Sequence, residues 1–425
     1  MKKDFVKNLY CNVDKSENSI KKYVLLILPI TMFILGFILD DINQILSGLY
    51  NIVLSEDLLL TDYLVIGGIG ATFINSAILS FFNIYLLHKL KVPINGTAIA
   101  GVFIVAGFAF FGKNIFNVWP IYLGTYLYSR YQKRSYRSVL YITMFATALS
   151  PIVSQLSFGL GLPIQQGLAL GILFGTVIGF VVTPLSAHLV RAHDGYNIYN
   201  VGFTAGFIGT ILISVLRGFG MDVNTQLILS HEYHNILKYI LISFSIILFV
   251  IGYFLNNKSF KGFLDIFEFS GRLVTDFVML IGIGNTFINM GIMGLISILY
   301  VIISDGAING PIVGGILTII GFSAFGKHPK NTIPVLLGVL TAGFINIWDV
   351  DSTLVIIAGL FGTTLAPIAG EYGVFAGFIS GFIHLSVVMN IGSLHGGVNL
   401  YNNGFSGGIV ASVLVPILDA FSKED

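Results

Sequence analysis

The chain has 425 residues, 55% hydrophobic and only 10% charged, against roughly 25% charged in ordinary soluble domains, so too little charged surface exists to wrap a large soluble core. A net charge of +1 without a basic patch excludes a nucleic-acid partner, and the single cysteine, Cys11, excludes an intrachain disulfide framework or a cysteine metal site. Mean hydropathy of +0.88 and apolar runs from end to end predict an all-α, multi-pass integral membrane protein embedded in a lipid bilayer.

Residues 1–21 form a Lys-rich tail. The first apolar run, Tyr23 to Leu39, ends in Asp40-Asp41, not at a small-residue cleavage site, and reads as a first span, not a signal peptide. Thirteen further apolar segments follow, centred on 64–87, 96–112, 115–128, 138–156, 166–190, 201–218, 239–255, 277–303, 308–325, 331–348, 352–370, 373–391 and 404–421. A helical crossing takes about 20 residues, so the shortest segments, 115–128 above all, leave room for half-helices or re-entrant pieces. If all fourteen cross from a cytoplasmic amino terminus, 19 of the 22 Lys and Arg face the cytoplasm, and only Lys113, Arg217 and Lys238 lie outside. The positive-inside rule favours that orientation, with both termini in the cytoplasm and the chain in a bacterial plasma membrane.

Four motifs occur twice in the same order. GIGATFIN (Gly68 to Asn75) returns as GIGNTFIN (Gly282 to Asn289), and INGTAIAGVFIVAGFAFFGK (Ile94 to Lys113) as INGPIVGGILTIIGFSAFGK (Ile308 to Lys327), both 214 residues on. TALSPIVSQ (Thr147 to Gln155) returns as TTLAPIAGE (Thr363 to Glu371) at an offset of 216, and HDGYNIYNVGFTAG (His193 to Gly206) as HGGVNLYNNGFSGG (His395 to Gly408) at 202. The chain therefore reads as two copies of one unit, 22–218 and 238–425, joined by an extracytoplasmic linker, 219–237. Seven apolar segments per copy is an odd number, which sets the copies in opposite orientation. Inverted repeats of this kind belong to transporter folds, with the solute near the midplane where the repeats meet.

The repeated polar residues are the site candidates, each with a structural alternative. Thr72 and Asn75, like Thr286 and Asn289, share one small, polar helix face, fit either to glue helices together or to line a solute site. Asn95 and Asn309 precede helices whose recurring small residues suit close packing, and the Asn-Gly step could also leave free N–H groups turned to a solute. His193, Asn197 and Asn200, matched by His395, Asn399 and Asn402, read as an interface linker with helix caps or as a gate or vestibule. Glu371, aligned with Gln155, and His384 are candidates for ion coupling. No carboxylate relay runs through the spans, which points to a small neutral or zwitterionic solute. HExxH, Walker A and nucleophile-elbow patterns are missing, so the sequence predicts no enzyme, no catalytic residue, no bound metal and no cofactor.

The doubled GIGxTFIN, INGxxxxG and HxGxNxYNxGF motifs resemble those of a bacterial membrane-protein family catalogued as a domain of unknown function, along nearly the whole chain. The Asn-Gly steps that open small-residue helices within two inverted repeats look, in organisation, like urea-transporter-type channels. The expected function is a transporter or channel with a polar site between the repeats, possible as a homo-oligomer. An ion-coupled carrier, or a structural or lipid-interacting membrane protein, is the alternative.

Overall fold

A computed structural model describes residues 2–57, 60–221 and 227–421. Within these it is all-helical, its only β contacts being two isolated bridges, Thr61 to Ile228 and Asp62 to Phe111. The first half runs α1 (Lys2–Leu39), α2 (Ile42–Leu54), α3 (Tyr63–Ile66), α4 (Gly68–Lys89), α5 (Gly96–Phe108), α6 (Trp119–Tyr131), α7 (Leu140–Ala146), α8 (Pro151–Phe158), α9 (Ile164–Leu189) and α10 (Asn200–Gly218). The second half runs α11 (His234–Leu255), α12 (Phe277–Leu280), α13 (Gly282–Ile303), α14 (Gly310–Phe322), α15 (Pro329–Ile345), α16 (Thr353–Gly362), α17 (Ala366–Tyr372), α18 (Val374–Ile391) and α19 (Asn402–Phe421).

Each of the fourteen apolar segments is helical, but not each is a crossing. Nine helical stretches among the described residues are long and apolar enough to cross a membrane, or ten if α7 and α8, bent by 43° at the Ser150-Pro151 step, act as one. The bend is where proline removes a backbone donor. Helices α5, α6 and α14 have 13 residues each. At 1.5 Å per residue that is about 20 Å, short of the roughly 30 Å hydrocarbon core.

Contacts show what the short helices do instead. Tyr141, at the start of α7, donates to Pro93 O just before α5, and Tyr136 stacks on Tyr126 late in α6 at 5.7 Å. The beginning of α5 and the end of α6 therefore lie together, and the pair is a hairpin. In the second half Asn309, before α14, donates to Thr353 at the start of α16, and Gly343, late in α15, packs on Val355 of that same helix. Segments 308–325 and 331–348 form a second hairpin. The fourteen-crossing reading thus gives way to spans plus two helical hairpins.

The hairpins meet at the centre. Helices α5 and α14 lie antiparallel, Gly107 against Gly314 and Gly321 against Ala100 and Phe103. Every residue of α14, and all but Thr97 of α5, is buried. Enclosure in protein is what satisfies apolar helices too short to cross a membrane by themselves. Their first turns are capped across the halves. Asp62 accepts from Gly310 N (3.1 Å), and Asp276, 214 positions on, accepts from Gly96 N with both oxygens (3.0 Å). A carboxylate at a helix N-terminus satisfies unpaired N–H groups and suits the dipole.

Candidate functional site

Each hairpin turns at a glycine with positive φ, Gly112 (+81°) and Gly326 (+95°), a conformation that a side chain disfavours. Each glycine is followed by a fully buried lysine, Lys113 and Lys327. Lys327 Nζ donates to Tyr199 Oη and to Thr363 Oγ1 (2.6 Å), and it lies 4.5 Å from the Tyr199 ring centroid. Lys113 Nζ lies 4.8 Å from the Phe108 ring centroid and has no hydrogen-bond partner.

Two loops, 193–200 and 395–402, run inward to these lysines. Each begins with a buried histidine clamped to the asparagine seven residues on: His193 Nε2 to Asn200 Oδ1 at 3.0 Å, His395 Nε2 to Asn402 Oδ1 at 2.8 Å. Burial lowers the His193 pKa, the Asn200 contact opposing, which keeps the ring a neutral structural clamp. Asn197 donates to Gly404 O (2.9 Å) and accepts from Thr364 and Tyr199 N, binding its loop to the opposite half. Asn399 Oδ1 accepts from Tyr401 N (3.0 Å), while its Nδ2 has no partner.

Between the loops three pairs of repeat-related rings form one cluster. Tyr199 and Tyr401 touch at 5.1 Å. Tyr199 packs on Phe322 at 4.7 Å and Tyr401 on Phe108 at 4.8 Å; Phe322 meets Phe145 at 5.7 Å and Phe108 meets Phe361 at 5.5 Å. Two cavities approach this cluster. One, of about 330 Å³, is lined by Ser138, Tyr141, Leu273, Phe322 and the two tyrosines. The other, of about 270 Å³, is lined by Leu354, Ile357, Phe361, Leu400 and Ser393. The first lies along the start of α7 and the second along the start of α16. Those starts sit beside the starts of α5 and α14, which are antiparallel, so the cavities enter from opposite ends. What separates them is the ring cluster with a lysine on either side.

The residues singled out in sequence are placed around this centre, most with their hydrogen bonds used. Thr72 and Thr286 bond their own helices, at Gly68 O (2.7 Å) and Gly282 O (2.8 Å). Asn75 holds the first hairpin tip, donating to Ala109 O and Lys113 O and accepting from Ile115 N; Asn289 donates to Ser323 O and Lys327 O. Asn95 and Asn309 are N-caps of α5 and α14. Asn200 and Asn402 reach back to Ser186 O and Val388 O. His384 is buried against Asn403 (3.1 Å), and Glu371 is exposed beside a separate cleft with Asp194, Arg272 and Asp419. The lysines escaped the sequence reading, and the tyrosines stood in it only as shared residues of the HxGxNxYNxGF motif suited to a membrane-interface linker. Lys113 and Lys327 counted there only as loop charges, although both end the same repeated FGK. That a lysine keeps its place in a buried repeat was the available signal.

Further out, Asp57 is fully buried and accepts from Asn114, Asn117 and Ser154. Burial pushes its carboxyl up to about 7, the hydrogen bonds opposing. No group of three or more His, Cys, Asp or Glu suited to a metal occurs among the described residues.

Comparison with known proteins gives a family and nothing finer. A family model described as "Protein of unknown function (DUF1576)" matches residues 41–218 and 255–420. No curated protein and no solved structure matches, and the organisational likeness to urea-transporter-type channels gains no support. With two matched stretches that together cover most of its length, one in each half around the central lysines, the chain belongs to the DUF1576 family of proteins of unknown function.

Proposed function

We propose that the protein is a membrane transporter or channel for a small solute, built from two inverted repeats. The observation that carries this reading is the pair of cavities, about 330 and 270 Å³, entering from opposite ends and closed from each other by the Tyr199–Tyr401 ring cluster. Pockets of that order accept small organic molecules. With the hairpins re-entrant, each half crosses five times, through α1, α4, α7–α8, α9 and α10 and then α11, α13, α16–α17, α18 and α19. Five is odd, so the second half is inverted, as the seven-segment count also required. The charges support it: with Lys113 and Lys327 buried, 18 of the remaining 20 Lys and Arg fall on the amino-terminal, cytoplasmic side. Lys423, one of the 18, lies outside the described residues.

Opposed cavities with a closed septum suit alternating access, in which an inverted pair exchanges conformations around a fixed site. The solute path then runs past Lys113, Lys327 and the tyrosines; Asn75 and Asn289 act as its scaffold. Two buried ammonium groups favour a solute with a negative end over a fully neutral one.

Uptake by proteoliposomes tests this directly, with neutral solutes, amino acids, short carboxylates and monovalent ions offered with and without a proton gradient. Flux above empty vesicles, changed in rate by Tyr199→Ala, is the expected result. Saturation and gradient dependence would assign a coupled carrier, and their absence a channel. No flux across that panel from folded protein would remove the transport reading and favour a structural role.

A further inference from the structure

The halves differ around the two central lysines, where their sequences agree. Around Lys327 the set is closed: the ammonium bonds Tyr199 and Thr363, and Asn197 Nδ2 bonds Gly404 O. The counterpart set has the same residue types, Lys113, Tyr401, Thr147 and Asn399. There Lys113 Nζ, Tyr401 Oη and Asn399 Nδ2 are all buried and all without partners; Thr147 bonds Met144 O (2.7 Å) just as Thr363 bonds Leu360 O (2.6 Å), but receives no bond from its lysine. Phe108 touches both the lysine and the tyrosine, 4.8 Å from each by ring centroid.

The three unpaired groups share one chemistry, since ammonium, hydroxyl and amide N–H are all donors. The nearby buried acid bonds none of them: Asp57 takes its bonds from Asn114, Asn117 and Ser154 on Oδ2, and its Oδ1 is itself without a partner. A lone ammonium beside the Phe108 ring is costly unless it gives up its proton or a negative charge joins it. We propose that Lys113, Tyr401 and Asn399 hold the carboxylate of a small organic monoanion, in the same centre that the transport reading makes the solute path. One ammonium and neutral donors match a single negative charge on two oxygens; arginine forks of the kind that take phosphate are missing from the set. Phe108 packs on Phe361, which with Leu400 and Ile357 lines the neighbouring cavity, an apolar wall that suits an aliphatic or aromatic body, which a bare inorganic anion lacks.

Thermal unfolding of the full-length protein in detergent, at fixed ionic strength, reads binding without requiring flux. Sodium butyrate should raise the Tm saturably, whereas butyramide and chloride should not. Lys113→Met should abolish that shift and, having lost an uncompensated charge, unfold no earlier than wild type without ligand. Tyr401→Phe removes only an unpaired hydroxyl and should weaken butyrate about tenfold; it decides the matter if Lys113→Met does not fold. An equal shift with butyramide or chloride, or a butyrate shift unchanged in Tyr401→Phe, overturns the carboxylate site. Uptake without any butyrate shift would leave transport standing and remove the anion site. A shift lost in the variants, with no uptake of any solute, would do the reverse.

Discussion

Asn75 satisfies three backbone groups at once, so replacing it leaves two carbonyls and one N–H unpaired at a hairpin tip. Asn289 satisfies two, and its own Oδ1 is already without a partner. Each buried group left unpaired costs about 1–3 kcal/mol. Asn75→Ala should therefore lower the Tm in detergent by more than Asn289→Ala; an equal or reversed order would contradict the hydrogen-bond pattern. Asp57 sets a pH dependence of the opposite sign to a carboxylate held by a salt bridge. Its folded-state pKa is raised to about 7, from 3.8, so across that window the folded chain keeps a proton that the unfolded chain has released. Stability then falls as pH rises toward 7, by at most about 1.4 kcal/mol per unit. Relative to Asp57→Asn, wild type should lose Tm between pH 5 and 7.5, and parallel pH profiles would count against a buried, protonated Asp57. The polar positions that matter were visible in sequence because the repeat copies them, but their partners were not. Whether an asparagine binds a backbone carbonyl or a solute depends on which turn folds against it, and no local pattern around Asn75 encodes the tip at residues 109–115.

The short central helices depend on close backbone approach more than on side-chain fit. A Cβ on Gly107 would stand 2.9 Å from Gly314 O, and one on Gly314 would stand 2.4 Å from Phe111 Cε1 and 2.9 Å from Gly107 O. Neither backbone can yield without parting α5 from α14, and overpacking of this kind costs about 1–3 kcal/mol. Gly107→Val and Gly314→Val should each lower the Tm, and together by less than the sum, because either one already opens the shared contact. Strict additivity would mean that the two glycines do not face each other. Element existence was legible from hydropathy, since all fourteen apolar segments are helices. Element role was not. Segments 96–112 and 308–325 are as apolar as true spans because protein surrounds them, and burial in protein selects the same residues as burial in lipid. Segment length did not separate them either, since 96–112 and 308–325 are as long as 23–39 and 201–218; only the 13 residues that each keeps as helix fall short of crossing. The cross-half caps from Asp62 and Asp276 were hidden for another reason, since each lies more than 170 residues from the N–H group it serves.

At the scale of the whole molecule, the proposed inversion has a consequence that a parallel duplication lacks: the two corresponding cavities must face opposite compartments. Ser138 lines the cavity at the start of α7, and Ser393 lines the one along α16; both are exposed at the mouths. Cys11 is the only native thiol, so Cys11→Ser provides a clean background for placing one cysteine at a time. Serine to cysteine changes one atom, and neither hydroxyl takes part in the central cluster, Ser138 bonding Ser135 O and Ser393 bonding Asn390 O. A membrane-impermeant maleimide applied to intact cells should label Ser393→Cys and leave Ser138→Cys unmodified, and inside-out vesicles should give the opposite pattern. In the proposed topology 18 of 20 basic residues lie on the amino-terminal side, and the positive-inside rule favours the same orientation. Labelling of both positions from one side would make the two halves parallel and the cavities two mouths on one face, with no route across. Labelling of each position from both sides would mean a continuous aqueous pore, and the ring cluster around Tyr199 and Tyr401 would then be an open gate, not a septum.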